Sequence, residues 1–149
     1  MQYSPSLAGL FVYQGVFAAM ASPFAITIYS GSKPSAAGIA AAFASYNSGN
    51  ANFLAHYVGA TWAYSTNTLS LSAIPAAVNA SNTGTGTWCI LWGTNPALGA
   101  MNAALPTTIF TVGDVSDAGG VGILRFSSTA FTSGVSKVII DGSLAATMS

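Results

Sequence analysis

Few side chains in this sequence can do acid–base, nucleophilic or metal chemistry. They are His56, Cys89, Asp114, Asp117 and Asp141, and there is no glutamate. General acid–base catalysis needs titratable groups within hydrogen-bond reach of one another. A Ser-His-Asp arrangement would have to use His56, but many serines could serve it, and no G-x-S-x-G turn singles one out. His56 lies between aromatic and apolar neighbours in NFLAHYVG (52–59), which reads as a structural histidine or one that hydrogen-bonds at an interface. Cys89 has no second cysteine to pair with and sits in the apolar run TWCILW (87–92), so it reads as a buried small hydrophobe.

Asp114 and Asp117 form a D-x-x-D within VGDVSDAGG (112–120), placed by its glycines in a turn. Calcium takes six to eight oxygen ligands. Two aspartates with backbone carbonyls could offer a weak site, but capping of the turn explains both residues more simply. TGTGTW (83–88) has a G-x-G without the rest of a phosphate-binding motif. The residues imply no cofactor, no metal and no catalytic set.

The elements that would position these residues are mostly strands. FAITIYS (24–30) is a short β-branched and aromatic run ending at Gly31. Further strands are expected over 53–58, 60–65, 68–74, 86–92, 107–112, 121–127 and 136–141, with turn-forming residues in the breaks. TLSLSAI (68–74) alternates, with Leu69, Leu71 and Ala73 on one face and Ser70 and Ser72 on the other. The stretch AAGIAAAFASY (36–46) fits either a short helix or an irregular segment. Ser4 and Pro5 open an apolar segment with helical spacing (Leu7, Leu10, Phe11, Phe17, Met20), and Pro23 ends it, which predicts a helix over 5–21. The expected organisation is one all-β domain over 23–149, a β-sandwich or jelly-roll-like fold, preceded by an N-terminal helix or arm over 1–22.

Charge limits the partners. Only 4% of the 149 residues are charged, against roughly 25% in an ordinary domain. The 52% hydrophobic content, with three Trp, six Tyr and eight Phe, argues against disorder. Lys33, Arg125 and Lys137 are too few for a basic patch, so nucleic acid is not an expected partner. No membrane partner is expected either. The opening MQYSPSLAGL lacks the positive start of a signal peptide, and the apolar run that follows is broken by Gln14, Gly15, Ser22 and Pro23. Zero net charge removes the repulsion that keeps copies apart. Serine, threonine and asparagine can be buried against a partner wherever each finds a hydrogen bond. Such a surface is suited to being covered.

A resemblance points the same way. Ile28, Tyr29, Ser30, Gly31 and Pro34 match an I-Y-S/T-G-x-x-P element, which resembles one found in small structural proteins encoded in the virion gene clusters of tailed bacteriophages. Gly86, Thr87, Trp88 and Ile90 resemble that family's central strand without its arginine. Ser128, Thr129, Phe131, Gly134 and Val138 resemble its C-terminal element. The family's D-G-S-V element has no clean counterpart.

The resemblance implies a mostly β virion protein without enzymatic activity. It would be a head decoration (cement) protein binding the major capsid protein, commonly as a homotrimer, located on the capsid surface. Candidate interface residues are Leu7, Leu10, Phe11, Phe17, Tyr29, Trp62 and Tyr64. Two alternatives stand beside it: a tail or fibre component meeting host glycan through exposed Trp62 and Tyr64, and a small β-sandwich enzyme or carbohydrate-binding module, the enzyme requiring His56 and an aspartate to share a cleft.

Overall fold

The structure is a computed structural model, and it describes residues 23–35, 38–39, 43–65, 68–104 and 109–145. The expected helix over 5–21 lies outside these residues. Among the described residues, no helix is long and apolar enough to cross a membrane.

Strand β1 (Phe24–Tyr29) pairs antiparallel with β2 (Phe53–Ser65) on one side and with β6 (Trp88–Trp92) on the other. β2 continues to β3 (Thr68–Ala73), and β6 continues to β7 (Ile109–Asp117). β8 (Leu124–Phe126) and β11 (Asp141–Ala145) join β7 to β3, closing a seven-stranded barrel in the order β1-β2-β3-β11-β8-β7-β6. Two ribbons, β4 (Val78–Asn79) with β10 (Ser136–Lys137) and β5 (Gly84–Thr85) with β9 (Ala130–Phe131), complete the described strands. The all-β expectation holds. Seven of the strands join in a closed barrel sheet, which leaves these members no free edge. Within it, β6 returns to lie beside β1 after the β1-β2-β3 meander, which is a Greek key.

β2 accounts for one departure from the sequence reading. The sequence reads as two strands, 53–58 and 60–65, and the structure has one strand of 13 residues. Its pairing with β1 slips between Phe24↔Ala60 and Ile26↔Tyr57, and Gly59 sits there at φ +84°. A bulge with glycine in the left-handed region bends a strand and shifts its side-chain parity. Tyr57 points into the barrel before the bulge, and Ala60 and Trp62 point in after it. The bend also lets one strand pair with β1 through its first half and with β3 through its second.

Two cores result. The barrel interior holds Phe24, Ile26 and Ile28 of β1, Cys89 and Leu91 of β6, and Leu124 and Phe126 of β8. Ala80, Phe131 and Ile139, from the ribbons and their flanks, join this cluster. Phe24 stacks on Trp62 with ring centroids 5.7 Å apart, and Phe126 meets Phe131 edge-on at 5.3 Å.

The second core lies outside the barrel wall. Ala25, Tyr29, Trp88, Ile90 and Trp92 point away from the interior and are covered by Ile39, by Tyr46 and by Met101 of helix α1 (Leu98–Ala103). Tyr29 stacks on Trp88 at 4.4 Å, with Tyr46 and Phe53 edge-on around it. Helix α1 is missed by the sequence reading, because its N-cap Ala97 makes no side-chain capping bond and it carries no charged residue at either end.

β7 and β8 run parallel although only six residues separate them. A parallel pair ordinarily needs a crossover of a dozen or more residues. Here the backbone turns straight back along β7. Gly122 N–H donates to Ser116 Oγ at 3.0 Å, and Ile123 N–H donates to the Asp114 carbonyl at 2.8 Å. A Cβ on Gly122 would lie 2.7 Å from the Asp114 carbonyl oxygen and 2.8 Å from the Ser116 nitrogen, both rigid backbone. A Cβ on Gly119, in the same loop, would meet nothing within 4 Å. Gly122→Ala is therefore expected to destabilise the fold by about 1–3 kcal/mol, the usual cost of overpacking. Gly119→Ala should stay within about 0.5 kcal/mol of the parent, as surface substitutions do. Urea unfolding of the two variants side by side checks this.

Candidate functional site

Of the chemistry-bearing residues, His56 has the most organised surroundings. It lies on the outer face of β2, beside the second core, and is 7% exposed. Its Nε2 is 2.8 Å from the Pro96 carbonyl oxygen, its Nδ1 is 2.9 Å from Thr27 Oγ1, and Trp92 Nε1–H donates to the same Oγ1 at 2.7 Å. A carbonyl only accepts, so Nε2 carries the hydrogen. Burial holds the imidazole proton affinity below its ordinary value, partly offset by the Pro96 bond, so the ring is neutral at pH 7 and Nδ1 accepts. The Thr27 hydroxyl hydrogen therefore points at Nδ1, and Met101 Sδ, 3.7 Å from Thr27 Oγ1, is left as a packing contact.

The series of bonds runs Trp92 Nε1–H to Thr27, Thr27 O–H to His56, and His56 Nε2–H to Pro96. Each polar atom in it has a partner. A hydroxyl and a carbonyl occupy the two ring nitrogens, where a catalytic arrangement would place an aspartate on one of them, so His56 is the satisfied structural histidine expected from its neighbours.

Cys89 points into the barrel with no exposure, and burial pushes its thiol up to about 12. The nucleophilic form of a cysteine is the thiolate, so this thiol is inert in the folded protein. Asp114 and Asp117 are not in a turn, which corrects their expected placement: both belong to β7. Residues three apart on a strand point to opposite faces and are separated by roughly 10 Å, so the two carboxylates do not converge on one cation. Asp114 pairs with Lys33 at 2.7 Å, and Asp117 Oδ1 accepts from the Thr129 N–H at 2.7 Å. Among the described residues no three His, Cys, Asp or Glu side chains come together as a metal site.

The expected interface residues fare unevenly. Tyr29 is fully buried, with its hydroxyl donating to the Tyr46 carbonyl at 2.9 Å, so it is a core residue of the monomer and not a surface contact. Trp62 is 4% exposed and stacks on Phe24, so its ring is not on the barrel surface. Among the described residues its Nε1 finds no hydrogen-bond partner. Tyr64 falls on β2, opposite Leu69 of β3. Leu7, Leu10, Phe11 and Phe17 lie outside the described residues.

The described surface offers other groups. Val121 is fully exposed at the tip of the β7–β8 loop, and Val135, Val138 and Ile140 are exposed around β10. Sequence reasoning misses these because strand periodicity assigns valine and isoleucine to the core. It also misses Thr27 as the centre of the network, since nothing local distinguishes a buried threonine from an exposed one.

Each charged side chain is answered within the fold. Beside the Lys33–Asp114 pair, Arg125 bonds Asp141. Lys137 Nζ donates to the Ala130 carbonyl at 2.7 Å and lies 5.4 Å from the Phe131 ring centre. With the Asp117–Thr129 bond, this covers all six charged residues of the sequence.

Searches of family profiles, curated proteins and solved structures found no match to this protein.

The network gives a direct test. Thr27→Val keeps the side-chain shape but removes the hydroxyl that bonds Trp92 Nε1–H and His56 Nδ1 in a buried site. Orphaned buried polar groups cost about 1–3 kcal/mol each, so a loss of about 2–4 kcal/mol in unfolding free energy is expected. Thr27→Ser keeps the hydroxyl and should lose only about 1 kcal/mol for the missing methyl. Denaturant titration of both variants checks the order. Equal losses would show that the hydroxyl plays no part.

Proposed function

We propose that this protein is a structural virion component of a tailed bacteriophage, a capsid decoration or cement protein that binds the major capsid protein and stabilises the head shell as a homotrimer. The observation that carries this reading is the neutrality of the described surface. All six charged side chains have a partner within the fold, although the Asp114 and Asp141 carboxylates stay more than half exposed, and beside these few charges the exterior offers hydroxyls, amides, small side chains and a few exposed aliphatics. Such a surface can be desolvated against a shell over most of its area, because four of its six charges sit in ion pairs and few are left to strand. The chemistry-bearing residues support the same reading, because His56 and Cys89 serve the cores.

The finer fold assignment belongs to this reading. A jelly roll contains two Greek keys, and the β6-β1-β2-β3 arrangement supplies one of them. The N-terminal segment 1–22, which is uncharged and largely apolar, is the part assigned to the capsid contact. The tail or fibre alternative drew on exposed Trp62 and Tyr64, and the buried Trp62 ring counts against it.

The test is immunogold electron microscopy of intact particles with an antibody raised against the protein. Label distributed over the head is expected. Label confined to the tail would replace the cement assignment with a tail component, and bare particles, with the antibody still binding free protein, would remove the virion reading. A second expectation concerns salt. Contacts without ion pairs are little affected by screening, so affinity for isolated capsid shells should change by less than about threefold between about 50 and 500 mM salt. A loss of tenfold or more would show that charge carries the contact.

A further inference from the structure

We propose that residues 93–104 form a strap over the second core that opens when His56 takes up a proton. This is independent of the virion reading and rests on how the strap is attached. Three bonds hold its leading half to the barrel wall: Ala25 N–H to the Thr94 carbonyl at 2.9 Å, Gly59 N–H to Asn95 Oδ1 at 2.7 Å, and His56 Nε2–H to the Pro96 carbonyl at 2.8 Å. A fourth, from Ser48 N–H to Asn102 Oδ1 at 3.0 Å, ties its far end to the 47–50 turn. Its Met101 packs down on Trp92 and the apolar face of β1 and β6. Of the four attachments, only the one at His56 involves a group that titrates between pH 5 and 8.

The surroundings of His56 make the charged ring costly in the closed state. β1 presents Thr27, β6 presents Trp92, and the strap presents Pro96 and Met101, none of them charged. No charged side chain shifts the proton affinity of the ring, which is governed by burial and by the Pro96 bond. Nor does the sequence hold a further charged side chain that could approach from elsewhere, since all six have their partners within the described residues. The other ionisable side chains of this core are the phenols of Tyr29 and Tyr46, and burial pushes that of Tyr29 up, away from this range.

Protonation turns Nδ1 from an acceptor into a donor facing Thr27 Oγ1. That oxygen already accepts from Trp92, so it must also take the imidazolium hydrogen and turn its own hydrogen toward Met101 Sδ, a weak acceptor. Lifting the strap returns the ring to water and avoids this arrangement.

The sign follows from linkage. The open strap lets His56 titrate near its ordinary value of about 6.5, whereas burial in the closed form holds it lower, the Pro96 bond offsetting part of that effect. Closure is therefore at full strength above pH 6.5. It weakens by up to about tenfold per pH unit below that, and levels off once the closed form is also protonated. The sequence has one histidine, so no other imidazole contributes.

Hydrogen exchange of the intact protein at about pH 7.5 and about pH 5.0, corrected for intrinsic rates, reads the opening. The Met101 and Ala104 amides, bonded to the Ala97 and Ala100 carbonyls, report the strap, and the amides of β1 report the barrel. Strap protection is expected to fall by about tenfold relative to the barrel on acidification, and His56→Gln should abolish that difference. Equal changes in strap and barrel would overturn the proposal, as would a strap-specific change that persists in His56→Gln. Should His56→Gln fail to fold, the imidazole proton signals of the parent protein decide. Strap opening must track their titration curve, and opening at a different pH sinks the idea.

Discussion

The arrangement depends on a strand buried on both faces. Phe24 to Tyr29 are all at most 1% exposed, and the strand is paired along both edges. Its even-numbered side chains fill the barrel, while Ala25 and Tyr29 build the second core. β6 repeats the pattern, with Cys89 and Leu91 inward and Trp88, Ile90 and Trp92 outward. A strand in this position cannot slip by one residue, because a slip exchanges its faces. Phe24 and Ile26 would then land where Ala25 and Thr27 belong, against a polar network shaped for a threonine.

The scarcity of charge follows from the same geometry. Two central strands with no exposed face have no position where a lysine or glutamate could reach water, and an unpaired buried charge is prohibitive. Charged residues are therefore found off β1 and β6: Lys33 after β1, three on β7 and β8, Lys137 on β10 and Asp141 on β11. The exposed Lys33–Asp114 pair contributes little to stability, because solvent screens it. Its effect is to neutralise the surface. Cohesion comes from the rings: the Tyr29–Trp88 stack, with Tyr46 and Phe53 against it, puts four aromatics into one contact outside the barrel wall.

How much of this is legible in the sequence varies with how local the cause is. FAITIY and TLSLSA appear as strands at nearly the expected bounds, since β-branched residues and alternation are properties of the segment itself. The bulge in β2 is visible only as a gap. Gly59 breaks the alternation and so splits one strand into two, and nothing nearby says that the strand continues through it. The loop before β8 shows the limit most clearly: Gly119 and Gly120 read as a turn and Gly122 as part of a strand over 121–127, whereas Gly122 lies in the loop against the backbone of β7. His56 reads as structural from its neighbours, and its hydrogen bonds agree. Its partners are 29 and 40 residues away, beyond any reading of local sequence, and so are the partners that bury Trp62 and Tyr29.

The polar network under the strap also needs a reason to exist. An apolar set of the same shape could replace Thr27 and His56 at little cost, since satisfied buried hydrogen bonds contribute only modestly on balance. What an apolar set lacks is direction. The face formed by Ala25, Ile90 and Trp92 would accept a short helix such as α1 in several positions, because dispersion and hydrophobic contact are not directional. The sequence of α1, LGAMNA, offers Met101 as its buried anchor, and methionine is the side chain least able to fix a register. The bonds at Thr94, Asn95 and Pro96 fix three consecutive residues against β1 and β2 and so determine where Met101 lands. Selecting one arrangement in this way is what a fully satisfied polar cluster adds to a core. It also explains why the protein's only histidine is placed at a covered surface that packing alone would leave ambiguous.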